Sequence, residues 1–294
     1  MFSSFSFLDL LSGLAFFVVY VLLAAVCVRS KLRALLAHAP RQDPGLPESE
    51  KPAQGNRLTI SLATCAALFA FLGIPHGSLP AVFSFKWGGL MVLGCLTLAL
   101  AFGGGLNWDG ATRRKAHVVA LLGLALALFA WYAQQQGAPG DMLSLGSYVA
   151  VPLADIARWQ EKIGMLLLAL AFLLAARDVQ QDLASGLMSA ARLEADKARA
   201  VVVSALMQQI WILAALAMAV CLFVPSCPAE WFGMSGVTSI VVNTLVFWLK
   251  ILLADHALWL VSNTLSQARA WLAWTQFLLA GLGALCLFAG GGSI

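Results

Sequence analysis

Three ionisable residues, Lys250, Asp255 and His256, lie close together in one long apolar stretch near the C-terminus. An ionisable side chain inside an apolar helix is costly to bury, so it indicates a functional role such as an ion path. On a helix, Lys250 and Asp255 are about 140° apart, and each is expected to face a different neighbour. For Lys250, the chain offers Asp255 from a neighbouring packing face, or the amides of Gln208 and Gln209. A carboxylate from an adjoining subunit is an equal alternative, and purely structural pairing is another.

Further charged residues lie between the apolar stretches and predict a docking surface for partners. Residues 178–197 mix acidic and basic side chains, which suggests a solvated, partner-facing helix pair, with a charged loop that has no partner as an equal alternative. Asp182 in this segment is also an ion-path candidate, together with the three residues above. The docking candidates are Arg113, Arg114, Lys115, Asp178 and Glu194.

No residue pattern indicates catalysis by this chain alone. The sequence has no nucleotide-binding glycine loop, no HExxH motif and no GxSxG motif. Its six cysteines include no CxxC pair, and its four histidines have no neighbours at metal-ligand spacing. We therefore expect no catalytic residue, no metal and no cofactor in this chain. Nucleic acid is not an expected partner, because the basic residues do not cluster on one face.

The elements that hold these residues are predicted to be membrane-spanning helices. The chain is 61% hydrophobic and only 11% charged, so lipid must form part of its solvent. A span needs about 20 apolar residues. The pattern predicts an all-α integral membrane protein, a single polytopic domain over residues 1–294 with about eight spans. The predicted spans are residues 10–28, 58–74, 87–106, 116–132, 163–176, 200–224, 237–261 and 271–289.

The connections between spans predict how the chain is oriented. Fourteen of the 18 Lys and Arg residues fall in connections on one side when the spans alternate in direction. Basic loops face the cytoplasm, so both termini are expected outside, with the protein multi-pass in the cell inner membrane. Lys31 is counted here among the loop residues, and Lys250 is the only basic residue expected deep in a span. Residues 143–159, broken by Pro152, are interpreted as an amphipathic helix at the interface.

The C-terminal third resembles the complex I subunit 1 family. The resemblance rests on Lys250, then Asn263, the turn Gln267-Ala-Arg269 and a final apolar helix opening at Trp271. Weaker similarities lie at residues 105–115 and 172–183. The family includes the membrane subunits of formate hydrogenlyase and other energy-converting hydrogenases. This chain is divergent: Leu174 or Ala175, Lys115 and Ser262 stand where the family has glutamates.

The resemblance implies a membrane anchor and energy-coupling, proton-translocating subunit of a hydrogenase- or complex I-like oxidoreductase complex. Its expected partners are hydrogenase-like soluble subunits on the cytoplasmic face, antiporter-like membrane subunits and the lipid bilayer. Any Fe–S clusters and [NiFe] centre would belong to the partner subunits. The alternative is an independent permease for a small solute or ion. Such permeases often carry inverted repeats, which are not evident in this sequence.

Overall fold

The computed structural model describes residues 7–38, 57–77, 79, 87–104, 110–138, 141, 143–150, 153–190, 195–224, 228–264 and 269–291. The described residues are helical apart from turns and one isolated bridge between His76 and Leu79. The helices are α1 (Phe7–His38), α2 (Arg57–Leu72), α3 (Gly88–Gly104), α4 (Gly110–Gln135), α5 (Leu145–Ala150), α6 (Leu153–Ile156), α7 (Trp159–Ala190), α8 (Ala195–Phe223), α9 (Pro228–Trp231), α10 (Gly236–Thr264) and α11 (Arg269–Gly291).

Each predicted span overlaps one of the longer helices: α1, α2, α3, α4, α7, α8, α10 or α11. Four segments within the described residues are long and apolar enough to cross a membrane: Gly110–Gln135, Trp159–Met188, Val201–Phe223 and Gly236–Ser262. Three shorter apolar helices accompany them, Thr59–Leu72, Gly88–Gly103 and Trp274–Gly290. The helical membrane class is supported. The count of eight spans and the outward placement of both termini stay predictions.

Two helices extend further than the sequence analysis predicted. Helix α1 continues to His38, so Lys31 lies inside a helix and the prediction that it belongs to a loop is wrong. The first strong helix breaker after the apolar run is Pro40. Helix α7 continues to Ala190, which places Arg177 in its interior with only 1% of its surface exposed. Arg177 therefore does not extend outward to mark the end of a span.

The segment after Arg177 is less solvated than predicted. Val179, Gln180 and Leu183 are all buried, and the helix pair formed by α7 and α8 packs closely. The polar side chains of this part of α7 can lie in the bundle interior because neighbouring helices supply hydrogen-bond partners for them. The expectation of a solvated pair is corrected for residues 178–188; residues 191–194, including Glu194, lie outside the described part of the chain.

The bundle is built around α8. The segment Val201–Phe223 is 83% buried, whereas Gly236–Ser262 of α10 is 22% buried. The outer face of α10 carries a row of exposed leucines, at 245, 249 and 253, as expected of a helix with one face towards lipid. The amphipathic region between α4 and α7 forms two short helices, α5 ending at Ala150 and α6 beginning at Leu153. Its position at the membrane interface stays a prediction.

The closest helix pair is α7 with α11, and glycines allow the approach. A Cβ atom at Gly283 would lie 2.8 Å from the carbonyl oxygen of Gly164, and one at Gly164 would lie 2.8 Å from that of Gly283. Small residues at such crossings let two backbones touch, which is a main source of stability between helices in lipid.

We predict that Gly283→Ala lowers the free energy of unfolding by about 1–3 kcal/mol, because the added methyl group meets backbone rather than a flexible side chain. Gly281→Ala is the matched control, since a Cβ atom there would meet nothing within 4 Å. Thermal unfolding in detergent measures both variants. Equal midpoints for Gly283→Ala and Gly281→Ala would show that the α7–α11 contact does not limit stability.

Candidate functional site: a buried polar belt

Helix α7 carries a run of polar residues that contacts most of the surrounding helices. Successive residues on a helix point about 100° apart, so a continuous run reaches neighbours all round the helix. We call this group the polar belt: five side chains of α7 together with the residues they bond. The α7 members are Arg177, Asp178, Gln180, Gln181 and Asp182.

The centre of the belt is a group of four side chains, which we call the buried quartet: Lys31, Gln180, Gln209 and Asp255. The Lys31 ammonium donates to Gln180 Oε1 at 3.1 Å, to Gln209 Oε1 at 2.8 Å and to Asp255 Oδ1 at 2.9 Å. An ammonium group has three N–H donors, so all of them are used. The ring of Trp259 lies beneath the charge, 5.4 Å from Nζ to the centroid.

Each glutamine bridges the two charges of the quartet. Gln180 Nε2 and Gln209 Nε2 both donate to Asp255 Oδ1, the second at 3.0 Å, while their carbonyl oxygens accept from Lys31. The side chains of Lys31 and Asp255 are 6% and 4% exposed. A buried ion pair is tolerated when its charges cancel and its remaining hydrogen-bonding capacity is met. In the quartet the two charges cancel and the ammonium uses all its donors, and the four side chains join α1, α7, α8 and α10.

The other members of the belt connect α7 to α4, α10 and α11. Arg114 of α4 makes a two-point contact with the Asp182 carboxylate, with Nε 2.7 Å from Oδ2 and a second bond from Nη2 to Oδ1. Two-point arginine–carboxylate contacts are directional as well as strong. This pair is the more accessible end of the belt, since the Arg114 side chain is 34% exposed.

Asp178 and Gln181 extend the belt to the last two helices. The Asp178 carboxylate accepts from Arg177 Nη1 at 3.2 Å and from Gln276 Nε2 of α11 at 3.1 Å. Gln181 Nε2 donates to the backbone carbonyl of Ser262 in α10 at 3.0 Å. Gln208 of α8 also bonds α7: its Nε2 donates to the backbone carbonyl of Val179 at 3.1 Å. Amides therefore do hold helices together here, as membrane-buried amides often do.

The structure places Lys250 away from the belt. Its ammonium donates to the carbonyl oxygen of Val224, just beyond the end of α8, at 3.1 Å. A positive charge at a helix C-terminus is favourable because the last carbonyls carry partial negative charge. The expectation that Lys250 pairs with Asp255, Gln208 or Gln209 is wrong, because Lys31 occupies Asp255. Lys250 is also not the most deeply buried basic residue, since Lys31 and Arg177 are 5% and 1% exposed.

The remaining predicted residues are dispersed. His256 follows Asp255 on α10 but is exposed, and Arg113 is exposed beside Arg114. Lys115 lines a crevice of about 310 Å³ between α2, α3, α4 and α8, together with Gln208 and Trp211. Within the described residues, no three His, Cys, Asp or Glu side chains lie close enough together to hold a metal ion.

A second buried contact lies on the same face of α1, eleven residues before Lys31. The Tyr20 hydroxyl is 3.0 Å from His76 Nε2, and both rings pack near Trp248. Burial lowers the pKa of His76 to about 3, so its ring is neutral near pH 7. This contact is therefore not expected to change as the pH varies around neutrality.

Sequence reasoning missed Lys31, Arg177 and Gln180. Lys31 follows Ala24 by seven residues and Val28 by three, a spacing that places all three on one helix face, and both apolar residues are buried. This spacing could have been used to predict that Lys31 lies on the buried face of a helix. Gln180 gave no comparable signal, because its partners Lys31 and Asp255 belong to other helices.

The comparisons with known proteins show the fold alone. No protein-family model and no curated protein matches the sequence. A chain in the solved structure of the membrane-bound sulfane sulfur reductase, an archaeal respiratory membrane complex, is similar with a TM-score of 0.52. The two chains are 16% identical, and the match covers 96% of this chain and 98% of the other. The helical arrangement described above is thus shared over almost the full length of both chains.

Substitutions in the buried quartet and at Lys250 should have very different effects on the free energy of unfolding. Lys31→Met leaves Asp255 charged and without its counter-ion, and we expect it to lower the free energy of unfolding by about 3–5 kcal/mol. Lys250→Met removes one hydrogen bond at a helix end and should cost about 0.5–1.5 kcal/mol. Denaturant titration in mixed detergent micelles measures both variants against the parent protein.

A double substitution separates the charge effect from packing. Lys31→Met with Asp255→Leu removes both charges, so it should recover most of the stability that Lys31→Met alone loses. If the double variant were less stable than the single one, the Lys31–Asp255 pairing would not be the reason for the loss.

Proposed function

We propose that this chain is the membrane anchor and energy-coupling subunit of a hydrogenase- or complex I-like respiratory complex. Soluble redox subunits would dock on its cytoplasmic face, and antiporter-like subunits would adjoin it in the membrane. The observation that carries the proposal is the polar belt, several groups of charged and amide side chains placed around α7 inside an otherwise apolar bundle. The shared fold with a chain of a respiratory membrane complex supports the same proposal.

A protein that only anchors partners in the membrane does not need buried charged residues such as those of the polar belt. Charged residues within a membrane bundle are costly, and where present they commonly mark ion or proton paths. The belt also changes gradually in exposure, from Arg114 at 34% to Asp182 at 13% and Asp255 at 4%. The proposal is that protons move between the partly accessible carboxylate of Asp182 and the buried carboxylate of Asp255. In this proposal Asp182 and Asp255 are the ion-path residues.

The other two ion-path candidates have different surroundings. Lys250 contacts the end of α8, and His256 is exposed on α10, so neither bonds to the quartet in this structure. Lys250 is therefore the natural comparison for Asp255 in a coupling experiment. Both residues lie on α10 and both carry charge, but only Asp255 belongs to the belt.

Docking is assigned to residues that remain available to a partner. Arg114 and Asp178 already bond within the bundle, so reversing their charge would disturb the fold as well as any interface. Arg113 is exposed in the first turn of α4. It is the best single position among the docking candidates for testing partner binding.

Coupling should depend on Asp255 and not on Lys250. We expect the double variant Lys31→Met/Asp255→Leu, reconstituted with its partner subunits in proteoliposomes, to lose proton uptake while redox turnover in detergent continues. Lys250→Met should retain uptake. The measurement is quenching of a pH-sensitive dye during turnover. Full uptake by a well-folded double variant would mean that the belt only stabilises the bundle and that the chain is an anchor.

Docking should depend on Arg113. Charge reversal by Arg113→Glu is expected to release soluble partners during affinity purification, because an exposed rim charge contributes to association without supporting the fold. Lys162→Glu is the matched control, since Lys162 is also exposed but lies at the start of α7, the other end of the bundle. Purification of the parent protein alone, with no redox subunit attached, would favour the independent permease.

A further inference from the structure

A buried carboxylate lies at the end of the bundle opposite the polar belt. Glu161 is in the first turn of α7 and has none of its surface exposed. Among the residues that the structure describes, neither of its carboxylate oxygens has a hydrogen-bond partner. Burying an ionised group in this way is costly unless something compensates it, so the surroundings of Glu161 need an explanation.

Three helix ends meet at Glu161. Its side chain rests on the last turn of α11, where any Cβ atom at Gly290 would overlap Oε1. The carboxylate also acts electrostatically on Tyr132 near the end of α4, whose buried hydroxyl likewise has no hydrogen-bond partner among the described residues. Two neighbouring side chains with unsatisfied oxygens thus lie near the ends of α4, α7 and α11.

The charges around this region are mainly negative. Helices α4 and α11 both end here, and helix C-termini carry partial negative charge, which adds to the Glu161 carboxylate. The partial positive charge at the N-terminus of α7 offsets part of this negative charge. The neighbouring basic residues, Arg158 and Lys162, are exposed. Arg158 acts electrostatically on Tyr132, but neither of the two bonds the carboxylate oxygens of Glu161. What the region lacks is a positive charge in contact with Glu161.

The available ligands are all oxygen atoms, which suit hard cations rather than transition metals. One carboxylate balances one positive charge, and a divalent ion would leave an uncompensated charge of the opposite sign in a buried site. We propose that Glu161, the Tyr132 hydroxyl and the carbonyl end of α11 bind a monovalent alkali cation, of which Na⁺ is the representative. This site is independent of the function proposed above and lies away from the belt.

The test is cation-dependent stabilisation of the full-length protein in detergent. The melting temperature is measured at constant ionic strength while NaCl replaces choline chloride, whose cation is too large to enter. We expect a saturable rise with Na⁺ for the parent protein, because a ligand that binds only the folded state stabilises it. Glu161→Gln should abolish the rise. Asp155→Asn, which removes an exposed acidic charge from α6, should retain it.

A milder variant keeps the test decisive if Glu161→Gln fails to fold. Tyr132→Phe preserves the carboxylate and loses one ligand, so the Na⁺ concentration at half-saturation should rise by about tenfold. Equilibrium dialysis with ²²Na⁺ should give one bound ion per chain for the parent protein. Stabilisation that is equal in Na⁺ and choline, or that is unchanged in both variants, would overturn the proposal.

Discussion

The buried charges of Lys31 and Asp255 are balanced by each other across two helices, and two glutamines from two further helices support the pair. One aspartate oxygen accepts from Lys31, Gln180 and Gln209 at once, so four helices share a single point of contact. Loss of any member would leave a buried group unsatisfied, which costs more than the net value of the bond itself. The relative positions of α1, α7, α8 and α10 follow from this requirement.

The helices were predictable because their signal is local. An apolar run of sufficient length predicts a span whatever surrounds it, and each predicted span corresponds to a helix in the structure. The quartet was not predictable in the same way. Lys31 and Asp255 are 224 positions apart in the sequence, and charge counting assigns Lys31 to a loop. Only the packing of α1 against α10 shows that its charge is buried and neutralised.

The same reasoning explains why Lys250 drew attention and Arg177 did not. A lysine in the middle of an apolar run stands out in the sequence, but its long side chain reaches the end of α8 and stabilises exposed carbonyls there. Arg177 sits where hydropathy falls and therefore predicted the end of a span. Because Asp178 lies beside it and further polar residues follow, the helix continues through the bundle with its charges paired.

The two ends of α7 present opposite chemical situations. At the buried quartet in its C-terminal half, the Lys31 ammonium uses all three N–H groups, and both glutamines bond through oxygen and nitrogen. At its first turn, Glu161 is buried with both oxygens unsatisfied. The quartet satisfies its two charges with groups of this chain alone. The proposed cation would supply the positive charge that Glu161 does not meet among the described residues, and the negative helix ends around it would favour that charge.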